Sequence, residues 1–277
     1  MIQIIVALML AYSGGVMVEN LGNLLGFGVI HTGFLGITFT VICFVGLMNA
    51  INMADGLDGL SGSLVLVSCG WYAILASMTG SNVTLGLILL LISVLTSFLV
   101  FNLRTPWRNR AAVFMGDAGS VTLGLLMTYF AVEIAGHRSS QVTPITVVWV
   151  LALPLIDMAC VMFRRIRKGK SPFCADNEHL HHIFQHAGFS VGQTVTLLTL
   201  VHALLGAFGI IAWVFHVPEY IMFYSFIALL ATYYITMNHA WKVMKALSRL
   251  NLEKQEANTR LPESVNGDIL QADKNSV

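Results

Sequence analysis

Charged residues are scarce in this chain of 277 residues: Asp, Glu, Lys and Arg together supply only 10% of them, whereas 56% are apolar and the mean hydropathy is +0.77. An ordinary soluble domain has about 25% charged residues. The scarcity of charge therefore excludes such a domain and predicts an integral membrane protein. We expect membrane lipid as a partner and no nucleic acid.

Cysteine is also scarce. Three of the four cysteines, Cys43, Cys69 and Cys160, fall inside long apolar runs, and Cys174 lies in a polar one. This placement excludes a disulfide framework and a thiolate metal site. The His-Glu-x-x-His pattern of zinc peptidases is absent as well. No basic residue precedes the first apolar run, so the sequence does not predict a secretory signal peptide.

Long apolar runs are what the chain has in abundance, and about 20 apolar residues cross about 30 Å of hydrocarbon as a helix. They predict an all-α polytopic membrane helix bundle of about eight transmembrane helices, at residues 2–18, 33–51, 60–79, 83–101, 119–136, 143–163, 191–215 and 219–239. Residues 1–240 are expected to form the transmembrane domain. Residues 241–277 are expected to form a cytoplasmic polar tail, disordered from 251 onward.

The basic residues predict the orientation, because loops rich in Lys and Arg stay in the cytoplasm. Fourteen of the 15 Lys and Arg residues fall at the even-numbered junctions between spans or in the tail, and Arg138 alone falls on the opposite side. Three polar segments also lie at even-numbered junctions, on the same side of the membrane as these basic residues. We therefore expect them at the cytoplasmic face.

The first polar segment is Asn49-Ala-Ile-Asn-Met-Ala-Asp-Gly-Leu-Asp-Gly59, where one apolar run ends and the next begins. Its asparagines and carboxylates recur every three residues, so on a helix they form one polar stripe. A solvated, capped helix end is the structural alternative. Carboxylates at membrane depth are costly and generally functional, which favours a site. Gly56 and Gly59 would let a bulky ligand approach the backbone.

The second polar segment is Phe114-Met-Gly-Asp-Ala-Gly-Ser120, at the start of the fifth predicted span. Its glycines predict a turn, and the amides at a helix start attract anions, while Asp117 can hold a hard cation beside them. This pairing suits a magnesium diphosphate. A helix-capping aspartate is the structural alternative.

The third polar segment is His179-Leu-His-His182, which follows the basic run that begins at Arg164. Zinc usually takes ligands at other spacings. Imidazoles beside arginines and lysines are better suited to donate to phosphate oxygens. A positive-inside flank accounts for the basic residues but not for three histidines.

The three segments, in this order, resemble motifs of the polyprenyl-phosphate N-acetylhexosamine-1-phosphate transferases. The first is similar to that family's Asn/Asp motif, the second to its magnesium motif and the third to its histidine motif. Arg164-Arg-Ile-Arg-Lys-Gly-Lys-Ser-Pro-Phe173 and His186-Ala-Gly-Phe189 resemble the members that use UDP-N-acetylglucosamine and undecaprenyl phosphate. The resemblance covers residues 1–249.

The resemblance implies a multi-pass enzyme of the bacterial inner membrane with its active site on the cytoplasmic face. The expected reaction is transfer of N-acetylglucosamine 1-phosphate to the lipid phosphate with release of UMP, early in O-antigen or enterobacterial common antigen synthesis. Mg²⁺ is the expected cofactor, with Mn²⁺ as an alternative, and a homo-oligomer is compatible with the sequence.

Site roles are assigned to the matching positions. We expect catalytic roles for Asp55, Asp58 and Asp117, with Asp117 as the metal ligand. We expect substrate contacts from Asn49, Asn52, Asn102, Phe114, Arg164, Arg165, His179, His181 and His182.

The family also implies ten or eleven spans and an early loop with two adjacent catalytic aspartates. This sequence has no Asp-Asp pair, and its first predicted span resembles the family's fourth. We therefore expect about three spans and that loop to be missing from the front.

Two other functions remain open. An inactive remnant of such an enzyme is one of them. The other is a multispan transporter in which Asp157, seven residues before Arg164 on the same helix face, belongs to an ion pathway. The polar residues collect at one surface, which favours the enzyme over the transporter.

Overall fold

The structure is a computed structural model that describes residues 2–105, 107–108, 110–137, 140–171 and 180–259. Over these residues it is all-helical and has no strand, which confirms the predicted fold class. The helices are α1 (Ile2–Tyr12), α2 (Gly36–Ala54), α3 (Leu60–Met78), α4 (Asn82–Asn102), α5 (Gly116–Ala135), α6 (Pro144–Val150), α7 (Ala152–Arg167), α8 (Leu180–His186), α9 (Val191–Val214) and α10 (Glu219–Thr259).

The prediction of about eight spans was too high. Six of the described helices are long and apolar enough to cross a membrane, or seven if α6 and α7 count as one bent span. The first predicted span, at 2–18, is an 11-residue helix, only about 16 Å long. It ends at Tyr12 because Gly14 and Gly15 follow, and Gly15 has a φ of 67°, which a helix does not accommodate.

The predicted span at 143–163 is broken between α6 and α7, whose axes differ by 83°. Pro154 explains the break: it has no N–H to donate to the carbonyl four residues earlier, and its ring clashes with that carbonyl. That carbonyl belongs to Val150, the last residue of α6. The Ser68 hydroxyl lies 3.3 Å from it and donates to it.

A buried histidine completes this polar contact inside the bundle. His202 Nε2 on α9 lies 2.8 Å from Ser68 Oγ on α3. We assign the proton to Nε2, because His202 then donates to Ser68 while Ser68 donates to Val150. The contact joins α3, α6 and α9 where an unpaired carbonyl would be costly.

Small residues set the spacing of the main helix pairs, as is usual in membrane bundles. A Cβ at Gly124 of α5 would lie 2.5 Å from Met48 Cα of α2, so these two backbones are in direct contact. Gly206 of α9 faces the Trp71 ring of α3 in the same way. Helix α2 is thereby held close to α5, and α3 close to α9.

The chain divides into two compact units, Met1–Tyr233 and Tyr234–Val277. The first contains α1 to α9 and the beginning of α10. In the second, α10 continues to Thr259. The disorder expected from residue 251 stays a prediction, and residues 260–277 lie outside the described part.

Candidate active site

The turn between α2 and α3 carries Asp55 and Asp58 at one end of the bundle. Asp55 directly follows the last residue of α2, and Gly59, with a φ of 84°, precedes α3. The Ser61 hydroxyl, from the first turn of α3, donates a short hydrogen bond to Asp55 Oδ1. Because Ser61 is buried, its hydrogen bond holds the Asp55 carboxylate in place.

The loop between α4 and α5 is fastened to this turn. Asn102 accepts from the Gly59 N–H at 2.8 Å and donates to the Val113 carbonyl at 2.7 Å. Asp58 Oδ2 accepts from Arg104 Nε at 2.7 Å and from the Ala111 N–H at 3.3 Å. Both residues therefore hold the loop that leads to the second polar segment.

Asp117 lies in the first turn of α5, just after Gly116 with its φ of 69°, and its side chain is exposed. The predicted turn and helix start are therefore confirmed. Ser120, one turn further along, donates to Asn52 Oδ1 at 2.7 Å. This hydrogen bond joins the Asn/Asp segment on α2 to the start of α5.

The histidine segment also reaches the α2–α3 turn. His181, in the short helix α8, is 3% exposed. A Cβ at Gly56 would lie 2.3 Å from His181 Nε2, so the imidazole packs directly on the Gly56 backbone. The His182 ring is next to it, with ring centroids 4.2 Å apart. The close approach expected at Gly56 is thus made by a histidine of this chain, and the one at Gly59 by Leu103.

The electrostatics of the site centre on Asp55. Burial raises the pKa of Asp55 above its ordinary value, and this is the largest cause of the shift. The hydrogen bond from Ser61 opposes it, whereas the nearby carboxylates of Asp117 and Asp58 raise the pKa further. Like charges that raise a carboxyl pKa are relieved by a bound cation.

The residues fit a magnesium ion. Within the described part of the chain, no group of three His, Cys, Asp or Glu side chains is arranged to hold a metal. Mg²⁺ usually takes one or two carboxylates and completes its shell with water and substrate phosphate, so it does not need such a group. The Asp117 carboxylate is near enough to raise the pKa of Asp55, which is consistent with this kind of site.

The remaining residues predicted to contact substrate differ in exposure and in the groups that they face. The Asn49 amide donates to Val45 O and, at 3.2 Å, to Gln3 Oε1, so it faces α1 and not the carboxylates. Phe114 precedes α5 and is 77% exposed. Arg164 and Arg165, in the last turn of α7, are buried. His179 lies outside the described residues, and its role stays a prediction.

Sequence reasoning missed Ser61, Arg104 and the link from Ser120 to Asn52. Ser61 stands within an apolar run and carries no spacing signal. In the sequence, Arg104 is one of several basic residues that flank a span, and nothing there indicates its contact with Asp58. Ser120 belongs to the second polar segment, but its partner on α2 follows only from the packing of α2 against α5.

An apolar cavity of about 440 Å³ lies in the bundle, between α2, α5, the α6–α7 pair and the beginning of α10. Among its described lining residues are Leu47, Leu151 and Phe223. Leu47 lies two turns before Asp55, about 12 Å away along α2. The volume is in the range of ligand pockets.

Comparison with known proteins gives consistent matches. Residues 1–135 match the family described as Glycosyl transferase family 4. A protein of Escherichia coli O157:H7 named undecaprenyl-phosphate alpha-N-acetylglucosaminyl 1-phosphate transferase is 34% identical over 250 residues, which are 90% of this chain and 68% of that protein.

Proteins with the same name from two other bacteria agree. The one from Yersinia pestis is 32% identical over 264 residues, 95% of this chain and 72% of that protein. The one from Haemophilus influenzae is 35% identical over 249 residues, 90% of this chain and 70% of that protein. Identity at this level over more than two thirds of each relative confirms the resemblance seen in the motifs, and the chain belongs to glycosyl transferase family 4.

Proposed function

We propose that this chain transfers N-acetylglucosamine 1-phosphate from UDP-N-acetylglucosamine to undecaprenyl phosphate, giving a lipid-linked diphosphate sugar and UMP. The names of its relatives support the acceptor and the transferred group. The donor nucleotide and a place at the start of cell-surface polysaccharide synthesis are part of the proposal.

One observation carries the proposal: three polar segments that are far apart in the sequence meet at one end of the bundle. Ser120 joins α5 to Asn52, and the His181 ring packs on Gly56. Carboxylates and phosphate-binding imidazoles are thereby placed side by side. Phosphoryl transfer needs this combination, because its barrier is lowered chiefly by positioning and charge stabilisation.

The reaction follows from the chemistry of the two substrates. An oxygen of the lipid phosphate attacks the phosphorus that bears the sugar, and the bond from that phosphorus to the bridging oxygen breaks, so UMP leaves. The lipid phosphate is mostly dianionic at neutral pH, since its second pKa is about 6. A strong general base is therefore unnecessary, and we assign positioning and charge stabilisation to the protein.

Particular residues suit particular parts of the donor. His182, which is only partly buried, is suited to donate to the diphosphate, and buried His181 packs beside it on the Gly56 backbone. Arg164 and Arg165 at the end of α7 add positive charge. Phe114, exposed beside the site, is suited to stack on the uracil ring. Asp55 lies between these groups and the start of α5.

Mg²⁺ is the cofactor we propose, with Mn²⁺ as an alternative. When bound, it would neutralise charge on the phosphoryl oxygens. We assign its coordination to Asp117, which is exposed at the start of α5, with Asp55 as its neighbour. Asp58 is better suited to fasten the α4–α5 loop, because its Oδ2 already accepts from Arg104 and Ala111.

The apolar cavity supports a lipid acceptor. A polyprenyl chain needs apolar surface within the membrane. On α2 the cavity lining begins at Leu47, about two turns from Asp55, and continues away from Asp55 through Cys43 and Phe39. We propose that isoprene units nearest the phosphate occupy it.

We place the protein in the bacterial inner membrane with this site facing the cytoplasm, where UDP-sugars are made. The basic residues Arg104, Arg164 and Arg165 lie at the same end of the bundle as the carboxylates, in agreement with the positive-inside rule.

Membranes containing the chain test the proposal. They should convert UDP-N-acetylglucosamine labelled in the sugar into a butanol-extractable product only when undecaprenyl phosphate is present, and EDTA should abolish the conversion. Membranes with the Asp117→Asn variant at equal protein level are the control for contaminating activity. Equal conversion by wild type and variant would contradict the proposal.

A further inference from the structure

Asp157, which the sequence placed on an ion pathway in the transporter alternative, accepts hydrogen bonds from two described residues outside its own helix. It lies in α7, two turns before Arg164. Its Oδ1 accepts a hydrogen bond from the backbone N–H of Leu180 at 3.3 Å. The same oxygen accepts from the Tyr233 hydroxyl of α10 at 2.7 Å.

The contact with Leu180 matters because Leu180 is the first residue of α8, the helix that carries His181 and His182. The first N–H groups of a helix have no acceptor within it. A seven-residue helix is also too short to be stable alone. The position of α8 therefore depends on contacts with the rest of the protein, and Asp157 supplies one at its beginning.

His181 makes a second contact, since its ring packs on Gly56. The two contacts lie at adjacent residues of the chain: Asp157 of α7 holds the backbone at Leu180, and the α2–α3 turn meets the side chain of the next residue. A shift at Leu180 would be transmitted directly to the imidazole.

Tyr233 restrains the Asp157 carboxylate. Its hydroxyl lies closer to Oδ1 than the Leu180 amide does, and it comes from a separate helix, so it limits rotation of the carboxylate. Without it, Asp157 has more freedom to turn away from the Leu180 amide.

We infer that Asp157, held by Tyr233, is a positioning residue for the histidines of α8, of which His182 is the one proposed to bind the sugar-nucleotide diphosphate. The inference rests on the proposed function only for the identity of the ligand. The position of α8 can be measured without any substrate.

Conservative variants separate the parts of this arrangement. Tyr233→Phe removes one hydroxyl and keeps the ring. Asp157→Asn keeps an oxygen acceptor, whereas Asp157→Leu removes it. Tyr224→Phe is the matched control, because Tyr224 lies on the same helix and is more than half exposed.

The first measurement is hydrogen exchange of residues 180–186 in the purified full chain in detergent. We expect the amides of this segment to exchange faster in Asp157→Leu, and to a smaller extent in Tyr233→Phe, while segments of α3 and α5 keep the wild-type rate. Exchange in Tyr224→Phe should equal wild type. Unchanged exchange at 180–186 in Asp157→Leu would overturn the inference, and faster exchange throughout the chain would assign Asp157 to global stability instead.

The second measurement is the kinetics of transfer from UDP-N-acetylglucosamine. One lost hydrogen bond corresponds to about a 3- to 10-fold change, so Tyr233→Phe should raise KM by that factor with a smaller change in kcat. Asp157→Leu, which loses bonds to a charged acceptor, should raise KM by about 10- to 100-fold, and Asp157→Asn should recover most of it. Equal falls in kcat with constant KM would overturn the inference. Absent transfer in wild type would refute the proposed function, and the exchange result would still decide the role of Asp157.

Discussion

Replacing Gly56 by alanine tests the convergence of the histidine and Asn/Asp segments. Gly56 is not among the glycines with positive φ, so alanine introduces no backbone strain there. Its Cβ would lie 2.3 Å from Nε2 and 2.6 Å from Cε1 of His181. Ordinary contacts between such atoms begin near 3.5 Å, so the imidazole must move by about 1 Å.

The size of the effect follows from that displacement. His181 is 3% exposed and is surrounded by protein, so the ring cannot move without disturbing its neighbours. Overpacking of this kind costs about 1–3 kcal/mol of stability. A displacement of about 1 Å at a substrate-positioning group reduces the rate by about 10²-fold. We therefore expect Gly56→Ala to lose about 10²-fold in transfer while the protein remains folded.

The assay compares transfer of labelled N-acetylglucosamine phosphate into extractable lipid at equal amounts of folded, membrane-inserted protein. Gly46→Ala is the matched control: Gly46 also lies on α2, and a Cβ there meets no atom of the described residues within 4 Å. It should retain wild-type transfer. Wild-type transfer by Gly56→Ala would refute the packing of His181 on this turn. It would also refute a site formed jointly by the histidine and Asn/Asp segments.

Three further predictions address the metal, the charge of Asp55 and the orientation. Asp117→Asn keeps the shape of the side chain but removes its charge, so it should reduce transfer by about 10²–10³-fold. It should also raise the Mg²⁺ concentration needed for the half-maximal rate. An unchanged Mg²⁺ concentration at half-maximal rate would exclude Asp117 from the metal site. Transfer should fall as acidification protonates Asp55, at a pH above the ordinary aspartate pKa of 3.8. Ser61→Ala removes the hydrogen bond that lowers this pKa, so the acidic limb of the pH–rate profile should move to higher pH; movement to lower pH would contradict the assignment. Single cysteines introduced at the exposed positions 167–171 should react in spheroplasts with a membrane-permeant thiol reagent and not with an impermeant one. Reaction with the impermeant reagent would reverse the orientation.

Helix ends and polar segments were predictable because they are marked locally. Carboxylates and glycines at Asp55 to Gly59 indicated the end of one helix and the start of the next, and α2 indeed ends at Ala54. Pro154 also marked the break before α7, since its effect falls on the carbonyl four residues earlier. That break is therefore readable from the sequence, although apolar length alone suggested one continuous span.

Contacts between distant residues could not be predicted in the same way. Nothing near Gly56 indicates that an imidazole from α8 covers it, because the contact depends on how α7, α8 and α2 pack. Asp157 illustrates the same limit: a carboxylate within an apolar helix suggested an ion pathway, and only its neighbours Leu180 and Tyr233 indicate a different role.

The fate of the two phosphorus atoms of the donor tests the central claim most directly. UDP-N-acetylglucosamine carrying ³²P in the phosphate next to the sugar and ³H in the sugar should be incubated with the protein, Mg²⁺ and undecaprenyl phosphate. We predict that both labels enter the extractable lipid in the proportion of the donor, and that unlabelled UMP is the nucleotide released. Recovery of ³²P in UDP while ³H alone enters the lipid would mean that only the sugar is transferred, and would contradict the account.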